Sequence, residues 1–273
     1  YTCSSTQISG MSKNAFESYL FKDGKPMALT SLNKSDEAPF QYGHLSLKAI
    51  LAVRDKRLAQ TIDTVLLYNG RGFTRFNTGM ESTSSTGYGV AKYDNEAIPE
   101  GFRSQSGKNY THAPLFWLSV IYLNYAEACA ELGNITQDDL DKSINLLKDR
   151  AGLPHLNPIV GFSDPANNHG VSDLIWEIRR ERRCELMFDN DNRYWDLIRW
   201  HQLDKLDTTK YPDIILGANV ANDMDGCEAN KVGKYIDGSK DGSRIYDKKH
   251  YLYPIPTGQI ALNPQLAPNN PGW

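Results

Sequence analysis

Cysteine is scarce: Cys3, Cys129, Cys184 and Cys227 are the four in 273 residues. Their wide, unrelated spacings fit neither a CxxC metal ribbon nor a dense disulfide framework. Cys129 and Cys184 fall among small or apolar residues in helical patterns and are expected as buried thiols. No apolar run approaches the roughly 18 residues of a membrane-spanning helix, and no charged and apolar leader follows Tyr1. Nor does a lipobox precede Cys3, so any lipid anchor is expected upstream of this chain. Excess charge is missing as well. Thirty Lys and Arg face 33 Asp and Glu, a net charge of −3, which gives no global basic field for nucleic acid or an anionic membrane surface. His44, His112, His155, His169, His201 and His250 show no HExxH or comparable zinc spacing, and neither GxSxG nor a Walker motif occurs. Asp189-Asn-Asp-Asn192 and Asp223-Met-Asp-Gly226 lack the EF-hand series that ends in a bidentate Glu. No metal or cofactor is expected, and turns favour such residues without one.

What the chain does have is helical periodicity. Ser12 caps a short helix with Ala15, Phe16, Tyr19 and Leu20 on one face, stopped at Gly24. Leu47, Ile50, Leu51 and Leu58 mark further helix. The strongest stripe is Leu118, Ile121, Tyr122, Tyr125, Cys129 and Leu132, ended by Gly133. Thr136 with Asp139 forms a capping-box pattern for the next helix, where Leu140, Ile144 and Leu147 repeat up to Gly152 and Pro154. These two segments predict a helical hairpin, and Ala126, Ala128, Cys129 and Ala130 let the helices approach closely. One hairpin is not an array, and no internal period of about 34 residues is present. Ser172 caps a third long helix, followed by a tight turn and the helical run Arg193-Tyr-Trp-Asp-Leu-Ile-Arg-Trp200. Beyond Asp204 irregular chain is expected, with one β-like run at Tyr251-Leu-Tyr-Pro-Ile-Pro256 and a Pro-rich tail.

The helix after Ser172 carries an unusual face. At 100° per residue, Leu174, Ile175 and Leu186 fall within about 80° of Ile178, and Arg182 and Glu185 fall in the same arc. Charges on a buried face are costly unless paired. Arg182 and Glu185 are therefore expected to engage each other or a neighbouring helix, with Arg193, Asp196 and Arg199 as the candidates there. Arg179, Arg180 and Arg183 face away from the stripe and are expected in solvent. Glu181 and Glu185 do not suit a glycosidase acid/base pair, because residues on one turn of one helix cannot straddle a scissile bond.

Six motifs occur in order: Leu123-Asn-Tyr-Ala-Glu-Ala128, Arg150-Ala-Gly-Leu-Pro154, Ile178 to Leu186, Arg193 to Trp200, Tyr253-Pro-Ile-Pro256 and Asn270-Pro-Gly-Trp273. From about Asp55 to the last residue, their identity and order resemble the carboxyl-terminal half of SusD/RagB proteins. Two departures stand out. Trp117 and Val120 replace the family's Arg and Glu ahead of the LNYAEA motif, and Asp55-Lys-Arg-Leu58 replaces Asp-Pro-Arg-Leu. The resemblance implies a mainly α fold: helical hairpins of a tetratricopeptide-like body, long irregular loops and a few short strands. It implies one carboxyl-terminal domain over 1–273, with the family's amino-terminal half absent from this chain. By the same resemblance the protein binds rather than catalyses. It would sit on the outer membrane of Bacteroidetes as a surface lipoprotein and hand a glycan to a SusC-like TonB-dependent transporter. The alternative is an α-helical protein- or peptide-binding scaffold, as in RagB-like peptide uptake.

No family motif marks the ligand site, so the residues themselves must suggest it. The 68–112 region is rich in Gly, Ser, Thr and Asn, has no helical period, and carries seven aromatics, an unusual makeup for a disordered loop. A sugar site needs aromatic platforms beside hydrogen-bonding groups. Phe73 and Phe76 are candidate platforms, Arg75 and Asn77 candidate hydroxyl readers, and Tyr88 and Phe102 further platforms. The competing expectation is that most of these rings pin the loop to the helical body.

Overall fold

Helix starts follow the local capping signals closely. In the computed structural model, which describes residues 10–32, 47–64, 66, 84–92, 97–103, 107, 108, 110, 112, 114–189, 192–221, 231–239 and 242–273, Ser12 accepts from the Ala15 amide to start helix α1 (Lys13–Ser18). Asp55 does the same from the Arg57 amide for α3 (Lys56–Thr61), which follows α2 (Leu47–Leu51). A single turn, α4 (Glu100–Arg103), precedes α5 (Leu118–Glu131), which stops at Gly133 with φ 71°. The capping box of Thr136 and Asp139 forms in full and starts α6 (Gln137–Asp141). Left-handed Gly152, φ 69°, ends α7 (Ile144–Ala151). Ser172 caps α8 (Asp173–Glu185), and a turn with Phe188 at φ 64° leads to α9 (Asn192–Arg199).

Three expectations need correction. The helix predicted from Thr136 to Gly152 is two helices, because Ser143 leaves helical geometry (φ −133°, ψ −98°) while its hydroxyl donates to the Asp139 carbonyl at 2.6 Å. The apolar stripe of α5 faces outward: Leu118, Ile121 and Leu132 are 63%, 61% and 76% exposed, whereas Ser119, Leu123, Ala126 and Glu127 are buried. The small residue Ala126 thus does meet a neighbour and Tyr122 packs partly on the second core, but Leu118, Ile121 and Leu132 point away from it. Tyr251 to Pro256 is not a strand, since Pro254 and Pro256 have no N–H to give a ladder. The strands come from elsewhere: β1 (Leu216–Asn219), β2 (Lys231–Val232) and β3 (Tyr235–Asp237) form a small antiparallel sheet in the order β1-β3-β2.

Two cores flank α8. In one, Phe16, Tyr19, Phe21, Ile50, Leu58, Ile62 and Tyr88 pack with Ala218, Val220 and Ile236 of the sheet region. In the other, Leu123, Ala126, Leu140, Ile144, Leu147 and Ile178 join α5, α6, α7 and α8. Val120 packs against this second core, so its apolar character serves the fold. Cys184 lies between α8 and α1, where its thiol donates to the Ser18 carbonyl at 3.4 Å and burial pushes its pKa up to about 12. Cys129 is only half-buried. The last turn is clasped to the YPIP run: Trp273 Nε1 donates to the Leu252 carbonyl at 2.8 Å and Asn270 Nδ2 to that of Tyr253 at 2.6 Å. The run and the tail are thus one structural unit.

Candidate functional site

α8 holds charge on every side, and each side meets a different element. Toward α3 and α7, Glu181 accepts from Arg57 and lies 3.4 Å from Lys148, while Glu185 takes Arg57 at 2.9 Å and Arg150 at 2.5 Å. Arg57 also reaches Asp55 at 2.7 Å. Burial alone would raise the Glu181 pKa, but Arg57 and Lys148 outweigh it and hold the carboxyl at about 2. A general acid needs the opposite shift, so this carboxylate is structural.

Toward α5 and α9, Arg182 donates to Asp196 at 2.7 Å and to Asn124 at 2.9 Å. Arg199 donates to Asp196 at 2.9 Å and to Glu127 at 2.6 Å, and Trp200 Nε1 donates to Glu127 at 2.6 Å. Of the two partners expected for Arg182, the neighbouring helix is the one found, and Glu185 turns instead to Arg57 and Arg150. Three sequence motifs therefore meet in one network. Asn124 and Glu127, both in the LNYAEA motif, were not singled out as partners; a polar pair inside an otherwise apolar helix pattern was the available signal. Because Asp196 keeps Arg199 when Arg182 is lost, Arg182→Met is expected to lower stability by only about 2 kcal/mol. Urea denaturation of R182M and of the double variant with Arg199→Met measures this, and the double variant should lose more than the sum of the two singles.

The third side is the surprise. Arg179, Arg180 and Arg183 do not reach open solvent. Arg180 is buried, bound by Asp164 and Glu177 and donating to the Ser18 carbonyl at 3.1 Å. Together with Arg193 they line a cavity of about 620 Å³ between α1, α8, α9 and the turns at 164–168 and 202–214. Trp176, Trp200 and Tyr211 form part of its wall, and Lys205 and Arg244 add two more cations. The Arg179 and Arg199 guanidinium groups each lie 4.6 Å from the Trp200 ring centre, and Lys205 Nζ lies 4.7 Å from that of Trp176. Arg193 makes no ion pair among the described residues, contrary to its place among the expected pairing partners; its guanidinium lies 5.9 Å from the Trp200 ring. Burial, reinforced by Arg183, pulls its pKa down to about 9. Burial followed by repulsion from Arg193 and Arg183 brings Lys205 down to about 7.

A lowered lysine pKa fixes a sign. Below about 7 Lys205 is charged in both folded and unfolded chains, and the fold bears its full desolvation and repulsion. Between there and its ordinary 10.5 the folded chain sheds the proton first, so this group makes the fold more stable as pH climbs through that window. The expected observation is an NMR titration of the Lys205 side chain centred near pH 7.

The predicted ligand residues have mixed fates. Phe73, Arg75, Phe76 and Asn77 lie outside the described residues. Tyr88 is 1% exposed and its ring stacks on Phe16 at 4.6 Å, so it pins its segment to the first core and has no face for a ligand. Phe102, on α4, is 47% exposed and meets Tyr110 edge-on at 6.3 Å, which leaves it open to solvent. Among the described residues no cluster of His, Cys, Asp or Glu is arranged to hold a metal ion. Asp189, in one of the acidic turns, receives Lys92 at 2.7 Å. Residues 223–226 lie outside the described residues.

The described residues thus form a mainly helical body built around α8, with a small antiparallel sheet at one side of the first core. The family model for the SusD family matches residues 4–273, and the chain belongs to that family. The match begins well before Asp55, where the resemblance first becomes visible by motif. Among solved structures, a SusD-like protein of Bacteroides fragilis, BF3747, is 23% identical with a TM-score of 0.56, over 97% of this chain and 47% of its own. Two structures of BT4246, one of them the selenomethionine form, are 22% identical with TM-scores of 0.63 and 0.64. Each is matched over 96% of this chain, and over 46% and 44% of its own length. At these identities the likeness establishes the fold. This chain spans less than half the length of those proteins. No curated protein matches it. Among the described residues no helix is long and apolar enough to cross a membrane.

Proposed function

We propose that this protein is the glycan-binding subunit of a nutrient importer, held at the cell surface of the outer membrane by a lipid anchor and delivering its ligand to a SusC-like TonB-dependent transporter. Membership in the SusD family carries this reading. Within the chain, support comes from the chemistry of α8, whose carboxylates are bound by guanidinium groups and committed to the fold rather than poised for proton transfer. A binding role needs no such poised acid. Phe102, open to solvent beside Tyr110, is a candidate stacking platform, and Phe73, Arg75, Phe76 and Asn77 stand as further candidates in the same region of sequence.

A glycan array probed with the full-length protein tests this, with saturable binding and no released reducing sugar as the expected result. Silence across poly- and oligosaccharides, together with capture of peptides, would favour the peptide-uptake reading instead.

A further inference from the structure

The cavity beside α8 has a charge imbalance that its own residues do not resolve. Six cationic side chains and three carboxylates line it. Two of the carboxylates are taken: Asp164 by Arg180, and Glu17 by Lys13 at 2.5 Å. The third, Asp213, accepts a hydrogen bond from Asn14 at 2.6 Å. On the cationic side, Arg179 reaches Glu131 at 3.1 Å and Arg180 is bound as described. Arg183 finds only the neutral Asn14, at 2.7 Å. Arg183, Arg193 and Lys205 form no ion pair among the described residues: Arg193 and Lys205 lie over the Trp200 and Trp176 rings, Arg183 repels both, and Asp213, Asp196 and Asp204 act on the three cations without forming an ion pair to any of them. Like charges gathered in a half-buried pocket oppose folding unless a counter-charge joins them.

The geometry points to a binding site for an acidic saccharide, whose carboxylate or sulfate is held by Arg183, Arg193 and Lys205. Guanidinium groups suit planar, forked oxyanions, and Lys205 adds a point charge. A volume of about 620 Å³ is far larger than a lone oxyanion fills and falls in the range of small-molecule pockets. The lining also offers polar groups for hydroxyls, among them the hydrogen-bonded pair Asn168 and Tyr211. The oxyanion part of this inference rests on the cavity alone; the saccharide part rests on the function proposed above.

Calorimetric titration of the full-length protein with trigalacturonic acid, a sulfated chondroitin disaccharide, neutral galactotriose and sodium sulfate separates these. The expected result is binding of at least one acidic saccharide, weakened at high salt, with galactotriose giving no heat. Arg193→Gln and Lys205→Gln should each weaken that binding by about tenfold or more. Their melting temperatures should stay level or rise, because each removes a desolvated cation that has no ion pair among the described residues; a merely structural role would lower them. Failure of both acidic saccharides to bind, as when carboxylates elsewhere in the full-length protein already fill the cavity, would overturn the inference. So would unchanged affinity in both variants, or sodium sulfate binding as tightly as the sugars. Neutral glycans bound on the array without any acidic response would sink this inference and leave the proposed function standing.

Discussion

Arg57→Met is expected to lower stability by about 3–5 kcal/mol at neutral pH. The guanidinium of Arg57 is the shared counter-charge of Asp55, Glu181 and Glu185. Glu185 keeps Arg150 and Glu181 keeps Lys148, but Asp55 is given no other ion-pair partner among the described residues and is itself the cap of α3. Methionine fills much of the space and removes the charge, leaving carboxylates in a low-dielectric site. Chemical denaturation as a function of pH checks the cause as well as the size. Glu181 titrates at about 2 in the folded protein, below its ordinary 4.5. Its contribution is therefore complete above about 4.5 and is lost as pH falls toward 2. The curves of the native protein and R57M should converge in acid. A deficit that stays constant down to pH 3 would mean that lost packing, not unpaired charge, is responsible.

The second large effect separates two faces of one helix. Leu123→Ala should cost about 2–5 kcal/mol, because Leu123 is fully buried among Ala126, Leu140, Ile144 and Ile178 and its loss leaves a cavity. Ile121→Ala, two residues earlier, should stay within about 0.5 kcal/mol in the 273-residue chain, as expected of an exposed position. Thermal or urea unfolding of both variants decides it, and equal losses would mean that the outward stripe is covered.

That pair also marks where sequence reading succeeds and where it stops. Helix ends are set by contacts over three or four residues, so Ser12, Thr136 with Asp139, Gly152 and Ser172 could be read directly, and each has its predicted role. Which face of α5 meets the body depends on α7 and α8, and the larger apolar stripe lies beside the one that the body uses. Arg182 and Glu185, which helical periodicity puts on the buried arc, are both paired there. Arg179, Arg180 and Arg183 lie off that arc yet are covered, because one helix's periodicity cannot register walls supplied by α1, residues 164–168 and residues 202–214. The cavity was invisible for the same reason. Its cations lie on α8, α9, the turn at Lys205 and a distant segment at Arg244, and only folding gathers them. Tyr88 shows the limit of composition: an aromatic in a polar segment can serve the core, and its ring does.

The partners of α8 come from far along the chain. Arg180 reaches a carbonyl 162 residues away, Glu181 and Glu185 reach Arg57 across 124 and 128 residues, and Arg182 reaches Asn124 across 58. Each contact closes a long loop whose entropy must be spent before the contact is gained. Helical proteins usually fold fast because their contacts are local, whereas non-local pairing slows the search by orders of magnitude. This helix can nucleate locally at Ser172, yet several of its charges stay unpaired until α1, α3 and α5 arrive. A chain mainly helical in content is therefore expected to fold more slowly than its helices alone would suggest, with the docking of α8 as a late step.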